Sequence, residues 1–110
     1  MSNYLEIKLI RELEQDPQLS QRQLSVRCCV SLGSIHYCLN ALIEKGFIKA
    51  KNFKNSKNKL AYYYILTPSG FVHKKKITLE FLKRKQMEFE LMKDEIAKLE
   101  GELNQMTRKI

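Results

Sequence analysis

Residues 19–48 read LSQRQLSVRCCVSLGSIHYCLNALIEKGFI. Ser20 followed by Gln23 is a capping box, so a helix starts at Gln21 and runs to about Cys28. Ser31 is the next N-cap candidate, only a few residues on. From there another helix runs to Lys45, with Ile35, Cys38, Leu39 and Leu42 along one face. Gly46 stands where a left-handed residue closes a helix, and Phe47 can fold back on Leu42 as in a Schellman motif. Helices joined by so short a turn cannot lie antiparallel as a long hairpin. They meet at a steep angle, which is the helix-turn-helix arrangement.

The flanks extend this unit. Residues 3–15 form a helix on the spacing of Leu5, Leu9, Ile10 and Leu13, with Asn3 as a capping candidate and Asp16-Pro17 as the stop. Residues 47–53 (FIKAKNF) and 60–66 (LAYYYIL) read as strands, and the polar KNSKNK between them is a hairpin loop. The basic stretch 49–59 is therefore half strand and half loop, not a linker. Thr67 then caps a last helix, with Pro68 in its first position, where a missing N–H is harmless. No proline follows, and the helix runs to the end of the sequence.

The expected fold is mainly α with a small β-hairpin: a winged helix-turn-helix over residues 1–70, then a long helix over 71–110. Its third helix carries small and polar groups opposite the apolar face. Ser34, Tyr37 and Asn40 are candidates for base edges in the major groove, with His36 to one side and Ser31 and Gly33 at the N-terminal end. Gln21 and Arg22 open the second helix and are candidates for a phosphate. Lys54, Lys57 and Lys59 at the hairpin tip suit backbone or minor groove, with Asn55 and Asn58 adding groove contacts. The tyrosines Tyr62, Tyr63 and Tyr64 read as sheet packing.

Composition supports an anionic partner. Twenty Lys and Arg against twelve Asp and Glu give a net charge of +8. No apolar run approaches the length of a membrane span, and no signal-peptide core is present, so a cytoplasmic protein without membrane partners is expected. Cys28, Cys29 and Cys38 are odd in number, with two adjacent, which makes a poor disulfide framework. Cys28 and Cys38 fall on apolar faces and read as small buried hydrophobes. No nucleophile–base pair, phosphate-cradling glycine loop or metal-ligand spacing stands out. Neither enzymatic activity nor a cofactor or metal is expected.

The last helix has its own pattern. Leu82, Phe89, Ile96, Leu103 and Ile110 recur every seventh residue, and Lys85, Met92, Leu99 and Met106 follow three later. That is a coiled-coil seam through about four heptads, roughly 43 Å at about 1.5 Å per residue. So narrow a stripe needs a partner helix, and a second copy is the simplest. A parallel pair sets Glu88 against Lys93 of the partner subunit but also brings Glu95 near a like charge. An antiparallel pair faces acids with acids. A homodimer would read two half-sites of a (pseudo)palindrome in double-stranded DNA. The alternative is a winged-helix adapter whose coiled coil pairs with a different protein.

The segments SLGSIHYCLNALIEKGFIK, FKNSKNKLAYYYILTPSG and FLKRK resemble MarR-type winged-helix regulators, in particular the small exopolysaccharide-associated subset. The resemblance implies a bacterial transcription regulator linked to exopolysaccharide gene expression. It also implies a recognition helix from about Ser31 and a wing from about Phe47 to Leu66. Where the wider family often carries an Asp and an Arg at the wing tip, this chain has Asn58, Lys59 and Leu60. A glycine often stands at the position of Cys29 in helix-turn-helix turns. A left-handed Cys29 would bear strain of order 1 kcal/mol.

Overall fold

The structure is a computed structural model that describes residues 3–53 and 61–109. Its elements, in chain order, are α1 (Asn3–Gln15), α2 (Gln21–Cys28), α3 (Leu32–Glu44), β1 (Ile48–Phe53), β2 (Ala61–Leu66) and α4 (Pro68–Lys109). This is a mostly helical chain with one two-stranded antiparallel sheet. It divides into two compact units, residues 1–78 and 79–110. Gly70 and Ile77 of α4 are buried in the first of these.

Local chemistry starts and stops each helix of the first unit. Ser20 and Gln23 form the reciprocal capping box, with the Gln23 N–H donating to Ser20 Oγ at 3.1 Å and the Ser20 N–H to Gln23 Oε1 at 2.8 Å. Cys29 then turns left-handed at φ 57 and ψ 42. The Cys29 and Val30 N–H groups donate back to Val26 O and Ser25 O, which satisfies carbonyls that the helix end would otherwise leave open. Two residues later Ser31 caps α3, its Oγ accepting from the Ser34 N–H. The chain has turned so sharply that α2 and α3 cross at 109°.

At the end of α3, Gly46 adopts φ 77, and the N–H groups of Gly46 and Phe47 donate to Ile43 O and Leu42 O. These are the two bonds of a Schellman motif. β1 follows directly and pairs with β2 from Ile48–Leu66 out to Phe53–Ala61. The inner side of the hairpin base supplies Ile48 and Tyr64 to the core. The outer edge of β2 is tied down by the Tyr64 N–H, which donates to Pro17 O at 3.0 Å.

The core is one apolar cluster. Ile7, Leu9, Ile10 and Leu13 of α1 meet Leu24 and Cys28 of α2, together with Ile35, Cys38, Leu39 and Leu42 of α3. Burying each large aliphatic side chain stabilises the fold by about 1.5–3 kcal/mol. Hydrogen bonds and ion pairs bind the edges. Lys8 donates to Cys28 O, Arg27 pairs with Glu12 at 3.3 Å, and Lys74 of α4 pairs with Glu14.

The start of α4 is locked to the end of α3. Thr67 Oγ1 accepts from the Gly70 N–H as the helix cap and donates to Gly46 O, while Ser69 Oγ donates to the same carbonyl at 2.9 Å. The Thr67 N–H donates to Phe47 O. Helix and loop approach so closely that a Cβ on Gly70 would lie 2.1 Å from Phe47 O and 2.7 Å from Leu66 Cδ1. One turn on, the His73 ring stacks on Phe47 with centroids 4.1 Å apart, and its Nε2 lies 3.4 Å from Glu6 Oε1.

In the second unit α4 continues as a single helix whose residues from Leu82 to Lys109 are exposed. Leu82, Phe89, Met92, Ile96, Leu99, Leu103 and Met106 all lie open along it, and Lys85 pairs with Glu88. Ile110 lies outside the described residues.

Two substitutions in the first unit should act in opposite directions. Gly70→Ala forces a methyl into the Phe47 carbonyl and should lower stability by about 2 kcal/mol or more. Cys29→Gly relieves a left-handed side-chain residue and should raise stability by about 1 kcal/mol, less part of the entropic cost of glycine. Urea midpoints of the two variants against the parent check both signs.

Candidate nucleic-acid interface

The helix-turn-helix sorts α3 into two faces. Ile35, Cys38, Leu39 and Leu42 are all completely buried. Gly33, His36, Tyr37 and Asn40 lie at the spacing i, i+3, i+4, i+7 and are all exposed. Tyr37 is 69% exposed, a large aromatic that contributes little to the core. Ser34 and Ala41 lie half-buried at the margins. Among the residues of α3 only Glu44, in its last turn, is charged.

The hydrogen bonds on this surface are specific. Gln21 Oε1 lies 3.2 Å from His36 Nδ1, and Asn40 Nδ2 lies 3.0 Å from His36 Nε2. Gln21, read from sequence as a phosphate contact, is thereby tied to the exposed face of α3. Ser31 Oγ is the α3 cap and lies 2.9 Å from Ser34 Oγ, so the Ser34 hydroxyl is occupied at the helix end. Arg22 is exposed and makes no ion pair among the described residues.

Four further residues lie beside the candidates read from the sequence. Leu5 of α1 joins Ser31, Gly33, Ser34 and Tyr37 in lining a shallow groove at the N-terminal end of α3. Its helical spacing marked it only as core. Lys49 and Lys51 occupy one side of β1 and are both exposed. The sequence already places both on the strand that leads to the wing; Lys45, at the α3 C-cap, is a further exposed cation. The wing-tip residues Lys54, Asn55, Lys57, Asn58 and Lys59 lie outside the described residues. Of the tyrosines, Tyr64 is buried and Tyr62 is 51% exposed.

Two of the three cysteines are sequestered. Burial pushes the Cys38 thiol up to about 11, with Glu6 adding to the rise. Burial also raises Cys28, helped by Glu12. Cys29, at the turn, is exposed. Among the described residues no group of three or more His, Cys, Asp or Glu side chains comes together as metal ligands. Nor is any single helix there long and apolar enough to cross a membrane.

Residues 2–49 match a protein-family profile described as winged helix-turn-helix DNA-binding. The chain carries a winged helix-turn-helix domain. Among curated proteins no sequence matches it. Solved structures share its fold at low identity. The PcaV transcriptional regulator of Streptomyces coelicolor, in complex with its natural ligand, aligns with TM-score 0.61 and 16% identity, over 74% of this chain and 57% of its own. This chain thus spans little more than half the length of that protein. ZitR of Lactococcus lactis, a zinc-responsive MarR family member, aligns with TM-score 0.59 and 19% identity over 83% of this chain and 60% of its own. Streptococcus pneumoniae FabT in complex with DNA aligns with TM-score 0.51 and 22% identity over 94% of this chain and 71% of its own.

The burial of Cys38 fixes a direction for alkaline stability. Its thiol value in the folded state lies above the ordinary 9.0, so the neutral form is favoured by folding. That contribution is complete below pH 9.0 and is lost as pH rises through about 11. Urea midpoints should fall across this window, and less steeply for Cys38→Val. Native protein should be alkylated at Cys29 first, with Cys28 and Cys38 reacting only after unfolding, as mass spectrometry would show.

Proposed function

We propose that the chain is a sequence-specific, DNA-binding transcriptional regulator of MarR type that acts as a homodimer in the cytoplasm. α3 enters the major groove, and the wing lies along backbone or minor groove. The observation that carries this reading is the exposed, uncharged stripe Gly33–His36–Tyr37–Asn40, backed by a fully buried apolar face, on a chain of net charge +8. Neutral hydrogen-bonding groups suit base edges, and lysines and arginines elsewhere suit phosphates. Gly33 supports it as well. A Cβ there would meet only Ser31 Oγ at 4.0 Å, so the fold does not require a glycine. Glycine in a helix costs about 1 kcal/mol, and close approach of a nucleic-acid backbone supplies a reason for it.

Self-association through α4 belongs to the same proposal. Seven apolar seam residues from Leu82 to Met106 stand about half or more exposed on one chain. A long helix with such a stripe is marginal alone and stable when paired. Two winged domains so joined would read a (pseudo)palindrome. The link to exopolysaccharide gene expression rests on the resemblance of SLGSIHYCLNALIEKGFIK and FKNSKNKLAYYYILTPSG to that subset of regulators.

Binding to the DNA upstream of its own gene, titrated at several salt concentrations, tests the reading. A site-selective affinity that falls steeply with salt is expected, and equal binding to random duplex would refute it. Joint replacement of Lys54, Lys57 and Lys59 by alanine should weaken binding to all sequences and reduce the log–log salt slope by about 2–3.

Replacing Ile96 or Leu99 with aspartate should weaken self-association roughly hundredfold or more, since a carboxylate would be buried at the seam. Sedimentation equilibrium would show it as monomer at micromolar concentration. A wild-type chain that is already monomeric there would favour the adapter reading, in which α4 pairs with another protein.

A further inference from the structure

We infer that Asn40 reads an adenine in the major groove, and that His36 and Gln21 are the positioning residues that fix its amide for that task. The inference deepens the proposed function and rests on it. The basis is the chain of contacts Gln21 Oε1–His36 Nδ1 at 3.2 Å and His36 Nε2–Asn40 Nδ2 at 3.0 Å. It joins the first residue of α2 to the exposed stripe of α3, so the amide of Asn40 is held by the scaffold of the helix-turn-helix rather than by its own helix alone.

What the amide has left to offer decides the base. As the atoms stand, His36 Nδ1–H donates to Gln21, and Asn40 Nδ2 donates one hydrogen to His36 Nε2. Asn40 then retains one N–H donor and its carbonyl acceptor. If the chain of bonds ran in reverse, Gln21 would donate to Nδ1 and Nε2–H would donate to Asn40 Oδ1. The carbonyl oxygen would keep its second lone pair, and both amide hydrogens would stay available. In either direction the outward edge presents a donor beside an acceptor.

Adenine is the base whose major-groove edge answers that pair, with N7 accepting and the N6 amino group donating. Guanine offers two acceptors, cytosine one donor, and thymine one acceptor with a methyl group. His36 is thereby occupied on both ring nitrogens and is assigned to positioning rather than to base contact. In either direction Gln21 keeps at least one Nε2 hydrogen for a backbone phosphate. The second hydrogen bond of His36 sets the rotamer of a side chain that would otherwise turn freely on the surface, so less order has to be imposed on binding.

Selection of duplexes from a random pool by the full chain, compared with Asn40→Ala, tests the assignment. The parent should enrich a site with one adenine per half-site whose preference disappears in Asn40→Ala while the other positions persist. Placing 7-deazaadenine at that position should cut binding of the parent roughly tenfold and leave Asn40→Ala unmoved. His36→Phe should keep the thermal midpoint but lose much of the adenine preference, and His36→Gln, which can both donate and accept, should recover part of it. An enriched site without an Asn40-dependent adenine, or binding indifferent to 7-deazaadenine, overturns this assignment alone. A pool in which the parent enriches no sequence overturns the DNA-binding proposal and this assignment together.

Discussion

The carbonyl oxygens of Gly46 and Phe47 hold the winged unit together. The left-handed Gly46 ends α3 and turns the chain into β1 within two residues. The same turn points Gly46 O at Thr67 and Ser69, and Phe47 O at the Thr67 N–H. One short segment therefore ends α3, starts the wing and caps α4. The Gly46 side of this joint is exposed, so each of its hydrogen bonds adds a net contribution of only about 0.5–1.5 kcal/mol. The Phe47 ring completes the joint by stacking on His73, whose other face of contact is Glu6 of α1.

This joint makes the division of chemistry on α3 possible. Because its apolar face is fully engaged, the helix has no freedom to roll, and the exposed stripe keeps a fixed bearing. Charge is kept off that stripe and carried by neighbouring elements: Arg22 on α2, Lys45 at the α3 end, and Lys49 and Lys51 on β1. Phosphate attraction acts on any duplex, whereas neutral amides and hydroxyls discriminate among bases. A helix with its own lysines would bind more tightly and choose less.

Much of this was legible in the sequence because it is local chemistry. The Ser20–Gln23 box, the Ser31 cap, the Gly46 turn and the Thr67–Pro68 start are each specified within four residues, and all form as read. The strand alternation around Ile48 and the tyrosines placed the hairpin correctly. What escaped depends on residues far apart in the chain. Nothing near Gly70 announces that Phe47 O will sit where its side chain would be. The bond from Tyr64 to Pro17 joins segments that only the fold brings together. Gln21 reads as a phosphate candidate at a helix start, and its added hydrogen bond with His36 follows only from the 109° crossing of α2 and α3. Helical periodicity likewise does not say which turns of a long helix are buried.

The two units differ in what stabilises them. The winged unit has a closed core drawn from α1, α2, α3, the hairpin base and Ile77, so its folding is intramolecular. The second unit is a helix whose apolar side chains from Leu82 to Met106 are exposed. Its helical state gains little from its own contacts, because exposed ion pairs such as Lys85–Glu88 contribute about 0–1 kcal/mol. The proposed pairing would supply stability there, and pairing depends on concentration. If α4 pairs as proposed, abundance and DNA affinity would be coupled, because each winged unit would hold one half-site and pairing would supply the second at high effective concentration.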